Sequence, residues 1–230
     1  MTNKEEKEKM NQVLVIGAHP DDEVLGVGGT ILKMIDKGAE VYVCIATEAV
    51  KSLKFSEEEG KKRRKEAVDA SKALGIKKTF FLDMPSVHLD TLPIFEIINK
   101  FKAIINEVKP NIVFTHYDKD PNQDHQVISR ATRVATSPQI CGGCIKEVYF
   151  YEIPSSTTNA LGDSFFKPNV FFDIENYIEK KLKILGIYKS EVKKYPHPRS
   201  IEGAETYAKF RGLMCNKKYA EAFMLYRMIK

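Results

Sequence analysis

One short stretch of this chain concentrates residues that can carry out hydrolytic chemistry. His19, Asp21, Asp22 and Glu23 directly follow the apolar run 13–18. Several carboxylates beside a buried strand are unfavourable unless a cation neutralises them, and a divalent metal ion is the simplest such cation. His19 and Asp22 are also spaced i,i+3, which brings two side chains to the same side of a helical turn. The stretch therefore predicts part of a metal site.

The elements that must position this stretch can be predicted from hydrophobic periodicity. The predicted strands are residues 13–18, 41–46, 79–82, 112–115, 148–151 and 170–174, and the predicted helices are residues 25–37, 57–74, 93–108, 123–136, 176–190 and 204–214. The alternation of strands and helices predicts an α/β fold with a mostly parallel sheet and helices on both faces. The C-terminal part, about residues 176–230, is predicted to be mostly helical.

The predicted topology brings a second charged loop to the first one. In a doubly wound sheet of strand order 3-2-1-4-5, ligands bind beyond the carboxyl ends of strands 1 and 4. Strand 1 leads to His19, and strand 4 leads to His116, Asp124 and His125. The two loops would therefore face one crevice, although they are far apart in the chain.

His125 from the second loop would complete the ligand set begun by His19 and Asp22. Two histidines and one carboxylate suit Zn²⁺ and leave a position for water. The same donors could hold Fe²⁺ or Mn²⁺. Asp21 would be free to take a proton from that water as a general base.

Composition excludes several other classes of protein. The 230 residues are expected to form a single domain, residues 1–230, with residues 1–11 flexible. The net charge of +5 comes from scattered residues and does not indicate nucleic-acid binding. No apolar stretch suggests a signal peptide or a membrane span, so a cytoplasmic location is expected.

Two further patterns are weaker. Cys141 and Cys144 form a C-x-x-C, but no second pair completes a structural zinc site, so two reduced thiols in a loop are expected. The glycines of residues 26–29 do not form the G-x-G-x-x-G of a dinucleotide-binding loop, and the acidic residues before them would repel a pyrophosphate.

At these residues the chain resembles a known family. The run 18–23, Ala-His-Pro-Asp-Asp-Glu, is similar to the signature of the PIG-L/LmbE-like zinc-dependent N-acetylglucosaminyl deacetylases. Residues 25–30, the R-x-x-E of residues 63–66, the run 122–125 and the C-terminal runs 197–200 and 219–223 also resemble parts of that family. The likeness thus covers nearly the whole chain, and its first motif is the most specific.

The resemblance implies a Rossmann-like, LmbE-like fold and the hydrolysis of an N-acetyl group on an N-acetylated amino sugar or glycoconjugate, releasing acetate. It implies that His19, Asp22 and His125 bind zinc and that Asp21 is the general base. It also implies a substrate contact for Arg63 and allows self-association into a homo-oligomer.

One position departs from the family pattern. Many members have a histidine where this chain has Asn122, and an amide can donate a hydrogen bond to an oxyanion but cannot relay a proton. Either Asp21 makes both proton transfers or another residue supplies the acid, and His197 is the candidate. Asn122 and His116 are expected to contact substrate, and Asp124 is expected to orient a ligand.

Two other functions stay open at this point. A non-catalytic sugar-binding protein could retain the metal, although it would not need a base such as Asp21. A metal-dependent phosphoesterase could also use the paired aspartates, although a two-metal site usually needs more ligands.

Overall fold

Seven strands form one sheet in this computed structural model, which describes residues 11–47 and 56–230. The strands are β1 (Gln12–Gly17), β2 (Glu40–Thr47), β3 (Lys78–Met84), β4 (Ile112–His116), β5 (Glu147–Tyr151), β6 (Val170–Asp173) and β7 (Ala220–Met228). Their order is β3-β2-β1-β4-β5-β7-β6, and β1 to β5 are parallel. The predicted α/β fold and the 3-2-1-4-5 order are confirmed, so β1 and β4 are neighbours.

Helices cover both faces of the sheet. They are α1 (Asp22–Asp36), α2 (Glu57–Leu74), α3 (Ile94–Val108), α4 (Gln123–Ala135), α5 (Pro138–Cys141), α6 (Ile178–Leu185) and α7 (Ile201–Leu213). Alternate residues of β1 point to opposite faces, as the pleat requires. Val13 and Val15 pack on the side of α1, α2, α6 and α7, while Leu14 and Ile16 pack on the side of α3 and α4.

The C-terminal prediction is wrong in one respect. The last part of residues 176–230 is not helical, because β7 (Ala220–Met228) runs antiparallel between β5 and β6. Phe223 of β7 is fully buried and contacts Phe114 and Phe172 edge-on, so sheet packing decides the conformation of this segment. Helix α6 is also shorter than the predicted helix 176–190.

Helix α1 begins at Asp22 rather than at the predicted residue 25. This difference matters for chemistry because Asp22 and Glu23 belong to the first helical turn, where backbone N–H groups and the helix dipole favour negative charge.

The glycines of α1 allow other elements to approach it closely. A Cβ atom on Gly26 would lie 2.4 Å from a ring carbon of Tyr151, and one on Gly29 would lie 2.8 Å from Ile174. In the same region the N–H groups of Gly29 and Thr30 donate to the carboxylate of Glu221 at 2.8 and 2.7 Å. These glycines therefore serve packing rather than phosphate binding.

A buried lysine completes this contact. Lys181 Nζ donates to the carbonyl oxygen of Leu25 at 2.9 Å and pairs with Glu221 Oε1 at 2.6 Å. The Lys181–Glu221 ion pair thus joins α6 and β7 to the part of α1 that lies one to two turns after Asp22.

Among the described residues, no helix has both the length and the apolar composition to cross a membrane. Cys141 and Cys144 are partly exposed free thiols, with Cys141 at the end of α5, and Cys44 is buried in the core. The flexibility predicted for residues 1–11 falls, apart from Asn11, outside the described residues.

Candidate active site

Two strand ends and two helix starts build the site. β1 ends at Gly17, and the turn that follows carries His19 and Asp21 into α1. Asp21 has φ 111° and lies in the left-handed region, which is uncommon for a residue other than glycine. Its carbonyl oxygen accepts from the N–H groups of Val24 and Leu25, so the strained residue is held by the first helical turn.

The predicted metal ligands come together. Donor atoms of His19, Asp22 and His125 all lie within 4.8 Å of one another. His125 Nε2 is 3.3 Å from His19 Nδ1 and 3.7 Å from Asp22 Oδ1. Asp22 and His125 are each 2% exposed, while His19 is partly exposed and reaches the surface of the crevice. Water therefore has little access to Asp22 and His125, and a cation bound between the three side chains would satisfy their donor atoms.

A carboxylate lies behind each of these imidazoles. His19 Nε2 is 3.0 Å from Asp124 Oδ2, and His125 Nδ1 is 3.2 Å from Asp120 Oδ1. Burial alone would raise the pKa of both carboxyl groups, but hydrogen bonds from these imidazoles hold each pKa below its ordinary value. Each ionised carboxylate therefore accepts a hydrogen bond from the outer ring nitrogen, and the other nitrogen faces the centre of the cluster.

The two carboxylates in contact with His19 favour a positive charge at this position. Burial would lower the pKa of His19, but its contacts with Asp124 and Asp22 raise that pKa to about 10. A protonated His19 thus supplies a positive charge among the carboxylates when no metal is bound.

His116 lies beneath the cluster rather than in the crevice, contrary to the predicted substrate contact. Its ring has no accessible surface and stacks on His125 with centroids 3.9 Å apart. Its Nε2 atom accepts from the Ala18 N–H at 2.9 Å and lies 3.1 Å from Asp22 Oδ2. Burial lowers the pKa of His116 to about 4, so the ring is neutral and supports the turn that carries the ligands.

Asp21 faces a different set of partners from Asp22. Its Oδ2 atom lies 3.4 Å from Arg199 Nη1, and Arg199 Nη1 also lies 3.3 Å from Glu191 Oε2. Glu191 in turn pairs with Arg63 of α2, whose side chain is mostly buried. Burial and the negative charges of Asp22 and Glu191 raise the pKa of Asp21, against the lowering effect of Arg199.

Asn122 and His197 have roles in the local backbone. Asn122 caps α4, and its Oδ1 accepts from the N–H groups of Asp124 and His125 at 2.9 and 3.4 Å. His197 is exposed, and its Nδ1 accepts from the N–H of Arg199 at 3.0 Å. Within the described residues the hydrogen bonds of His197 stay inside its own loop. The catalytic role suggested for His197 stays a prediction, as does a substrate contact of Arg63.

Three residues that belong to this constellation were not predicted from the sequence. Asp120 follows β4 as Asp124 does, so its position after the strand was a usable signal. Arg199 lies two positions after His197, in a segment already singled out. Glu191 carries no local motif, and only its ion pairs identify it.

Glu23 is also buried but faces away from the three ligands. Its carboxylate accepts from the Tyr188 hydroxyl and from the N–H of Asp21. Burial raises the pKa of Glu23 to about 7, although these hydrogen bonds oppose the rise. Its contacts are those of a residue that holds the turn.

The donor set fits a divalent transition metal. Two imidazole nitrogens and one carboxylate, each imidazole oriented by a second carboxylate, are a common arrangement around zinc. The same donors fit Fe²⁺ and Mn²⁺, so the residues select a class of metal rather than one element.

Comparison with known proteins agrees with this geometry. The PIG-L family model, described as GlcNAc-PI de-N-acetylase, matches residues 14–136, just over half of the chain. The chain is 31% identical over 190 residues to YaiS of Escherichia coli (strain K12), described as an uncharacterized deacetylase, covering 79% of this chain and 92% of YaiS. It is 30% identical over 191 residues to a probable N-acetyl-alpha-D-glucosaminyl L-malate deacetylase of Bacillus cereus, covering 78% and 83%.

A solved structure shows the same likeness in three dimensions. The N,N'-diacetylchitobiose deacetylase of Pyrococcus horikoshii matches with a TM-score of 0.75 and 25% identity, covering 94% of this chain and 83% of that protein.

Proposed function

Because the chain belongs to the PIG-L family of de-N-acetylases, we propose that it is a metal-dependent hydrolase that removes the N-acetyl group from an N-acetylated amino sugar or its conjugate and releases acetate. The observation that carries this proposal is the convergence of His19, Asp22 and His125, with the buried carboxylate of Asp21 next to that of Asp22. The relatives described as acting on GlcNAc-malate and on diacetylchitobiose support the substrate class.

In this proposal His19, Asp22 and His125 hold one divalent ion, with Zn²⁺ as the first choice. When bound there, the ion would supply Lewis-acid chemistry by polarising the amide carbonyl and lowering the pKa of water. Asp120 and Asp124 accept hydrogen bonds from the outer ring nitrogens, which orients the inner nitrogens of the two imidazoles towards the ion.

Asp21 is the general base. It is buried next to Asp22 but is not part of the group that the three ligands form, so its carboxylate can accept the proton of an attacking water molecule. We assign the return of that proton to the leaving nitrogen to Asp21 as well, because His197 is exposed and, in the described part of the chain, its hydrogen bonds stay inside its own loop. The Nδ2 group of Asn122 can donate a hydrogen bond to the developing oxyanion.

The test is acetate release from N-acetylglucosamine, its malate glycoside and diacetylchitobiose. We expect activity that a chelator abolishes and that added Zn²⁺ restores, and a loss of activity in Asp21→Asn with the metal still bound. Release of phosphate from phosphate esters instead of acetate would contradict the proposal. Binding of these sugars without turnover would contradict it as well.

The cytoplasmic location and the homo-oligomer predicted from the sequence stay predictions. Neither is needed for the chemistry proposed above.

A further inference from the structure

The carboxylate of Asp21 is fixed on its backbone side but has little support on its side-chain side. Its backbone is held by the first turn of α1 and by Glu23, which accepts from the Asp21 N–H at 3.3 Å. Within the described residues, Arg199 is the only hydrogen-bond or ion-pair partner of the Asp21 carboxylate, at 3.4 Å. The orientation of the carboxylate therefore depends on Arg199.

Arg199 itself is held by a buried pair. Glu191 is 5% exposed and lies between Arg199 and Arg63, so the four side chains form the series Asp21–Arg199–Glu191–Arg63. Two acids and two cations alternate in this series, and its formal charge is zero. It connects helix α2 to the turn after β1 through the loop that precedes α7.

The surroundings of Asp21 make this countercharge necessary. Asp22, Glu23 and Glu191 are all buried acids near Asp21. Without a cation beside it, the Asp21 carboxylate would be repelled by these neighbours towards other rotamers, because charges in a poorly solvated site are weakly screened.

We propose that Arg199 is a positioning residue that holds the carboxylate of Asp21 in the orientation needed to accept a proton, with Glu191 and Arg63 holding Arg199 in turn. This inference rests on the proposed function. Arg199 acts through Asp21 and not on the substrate, so its loss reduces turnover and leaves substrate affinity and metal content intact.

The experiment compares Arg199→Ala, Arg199→Lys and the wild type. We expect Arg199→Ala to lower kcat about 100-fold, the size of effect produced by small misplacement of a catalytic group, with KM within about 3-fold of wild type. Arg199→Lys keeps the charge but not the planar group, so it should recover part of kcat. Millimolar guanidinium should restore part of the turnover of Arg199→Ala. It should not increase the turnover of the wild type.

Arg227→Ala is the matched control. Arg227 is also a partly buried arginine, but it lies on β7 opposite Val148, at the start of β5 and away from the strand ends that carry the site. Its substitution should leave kcat and KM unchanged.

A crystal structure of Arg199→Ala supplies a readout that does not need activity. We expect the Asp21 carboxylate to rotate or become disordered while His19, Asp22 and His125 keep their positions. An Asp21 carboxylate that stays in place would overturn the inference, and so would unchanged kcat. A raised KM with unchanged kcat would also overturn it, because Arg199 would then be a substrate contact.

If Arg199→Ala fails to fold, Arg199→Lys and Glu191→Gln carry the same comparison of kcat, KM and Asp21 orientation. A wild-type protein that releases no acetate would contradict the proposed function alone, because the crystallographic comparison still decides whether Arg199 orients Asp21.

Discussion

Asp124 lies directly behind His19, with its Oδ2 atom 3.0 Å from Nε2 of the imidazole. The same Oδ2 atom accepts from the N–H of Val87 at 2.7 Å, so the loop after β3 fixes the carboxylate. When His19 is neutral, the contact places its proton on Nε2 and leaves Nδ1 facing His125. A residue outside the ligand set therefore orients His19 for metal binding.

Removing this contact should weaken metal binding. We expect Asp124→Asn to lower the affinity for Zn²⁺ about 10- to 100-fold, because the amide loses the charge and can present a donor to Nε2. The affinity can be measured by competition with a chromogenic chelator. Asp118→Asn is the control, because Asp118 follows the same strand but pairs with Arg133 instead. Equal affinities for the two variants would contradict the role given to Asp124.

Removing a ligand should have a larger effect. His125→Ala deletes one of the three converging donors, so we expect its Zn²⁺ affinity to fall by more than the roughly 100-fold upper range for an outer carboxylate. Metal content after dialysis is the measurement. His88→Ala removes an exposed histidine from the loop after β3 and should retain the full content. A His125→Ala protein that still holds one equivalent of metal would refute the assignment.

The metal-free protein should lose stability as the pH rises above neutrality. Against the lowering effect of burial, the contacts with Asp124 and Asp22 raise the pKa of His19 from its ordinary 6.5 to about 10 in the folded protein, so the folded state binds an extra proton between these two pH values. The resulting stabilisation is complete below pH 6.5 and is lost as the pH approaches 10.

We expect the free energy of unfolding to fall by about 1 kcal/mol per pH unit between about pH 7 and about pH 9. Urea unfolding in the presence of a chelator measures it. Bound Zn²⁺ replaces the proton on His19 and should reverse the trend. His19→Ala should flatten it, and a His19→Ala protein with the same slope as wild type would show that another group is responsible.

The ion pair between Lys181 and Glu221 should be important for stability. Both side chains are buried, and Glu221→Ala would leave the Lys181 charge unpaired and the N–H groups of Gly29 and Thr30 without this acceptor. We expect a loss of about 3–5 kcal/mol in the free energy of unfolding.

The combination of Lys181→Met with Glu221→Gln should cost less than the sum of the single changes, since residues in contact are not additive. Urea unfolding of the wild type, the two single variants Lys181→Met and Glu221→Gln and the double variant gives the coupling free energy between the two side chains. Glu205→Ala, which breaks a surface pair with Lys209, should have little effect. A Glu221→Ala protein as stable as Glu205→Ala would refute the role of the buried pair.

Much of this protein was determined by its sequence alone. Strict alternation of apolar runs and helical patterns predicted the parallel strands and their 3-2-1-4-5 order, because a right-handed crossover leaves few topologies open. That order in turn predicted the meeting of His19 and Asp22 with His125, since the ends of β1 and β4 must be adjacent. Local pattern and chain topology were sufficient for these features.

Only the tertiary structure decided the rest. The C-terminal part was predicted to be mostly helical and no strand was predicted at 220–228, because nothing in that local run reveals that it pairs with both β5 and β6. The burial of His116 and the contact of Arg199 with Asp21 likewise depend on packing between distant segments. The order of strands and helices along the chain determines which loops meet at a sheet edge. Which side chain then contacts a given atom depends on how deeply each side chain is buried and where its packed neighbours direct it.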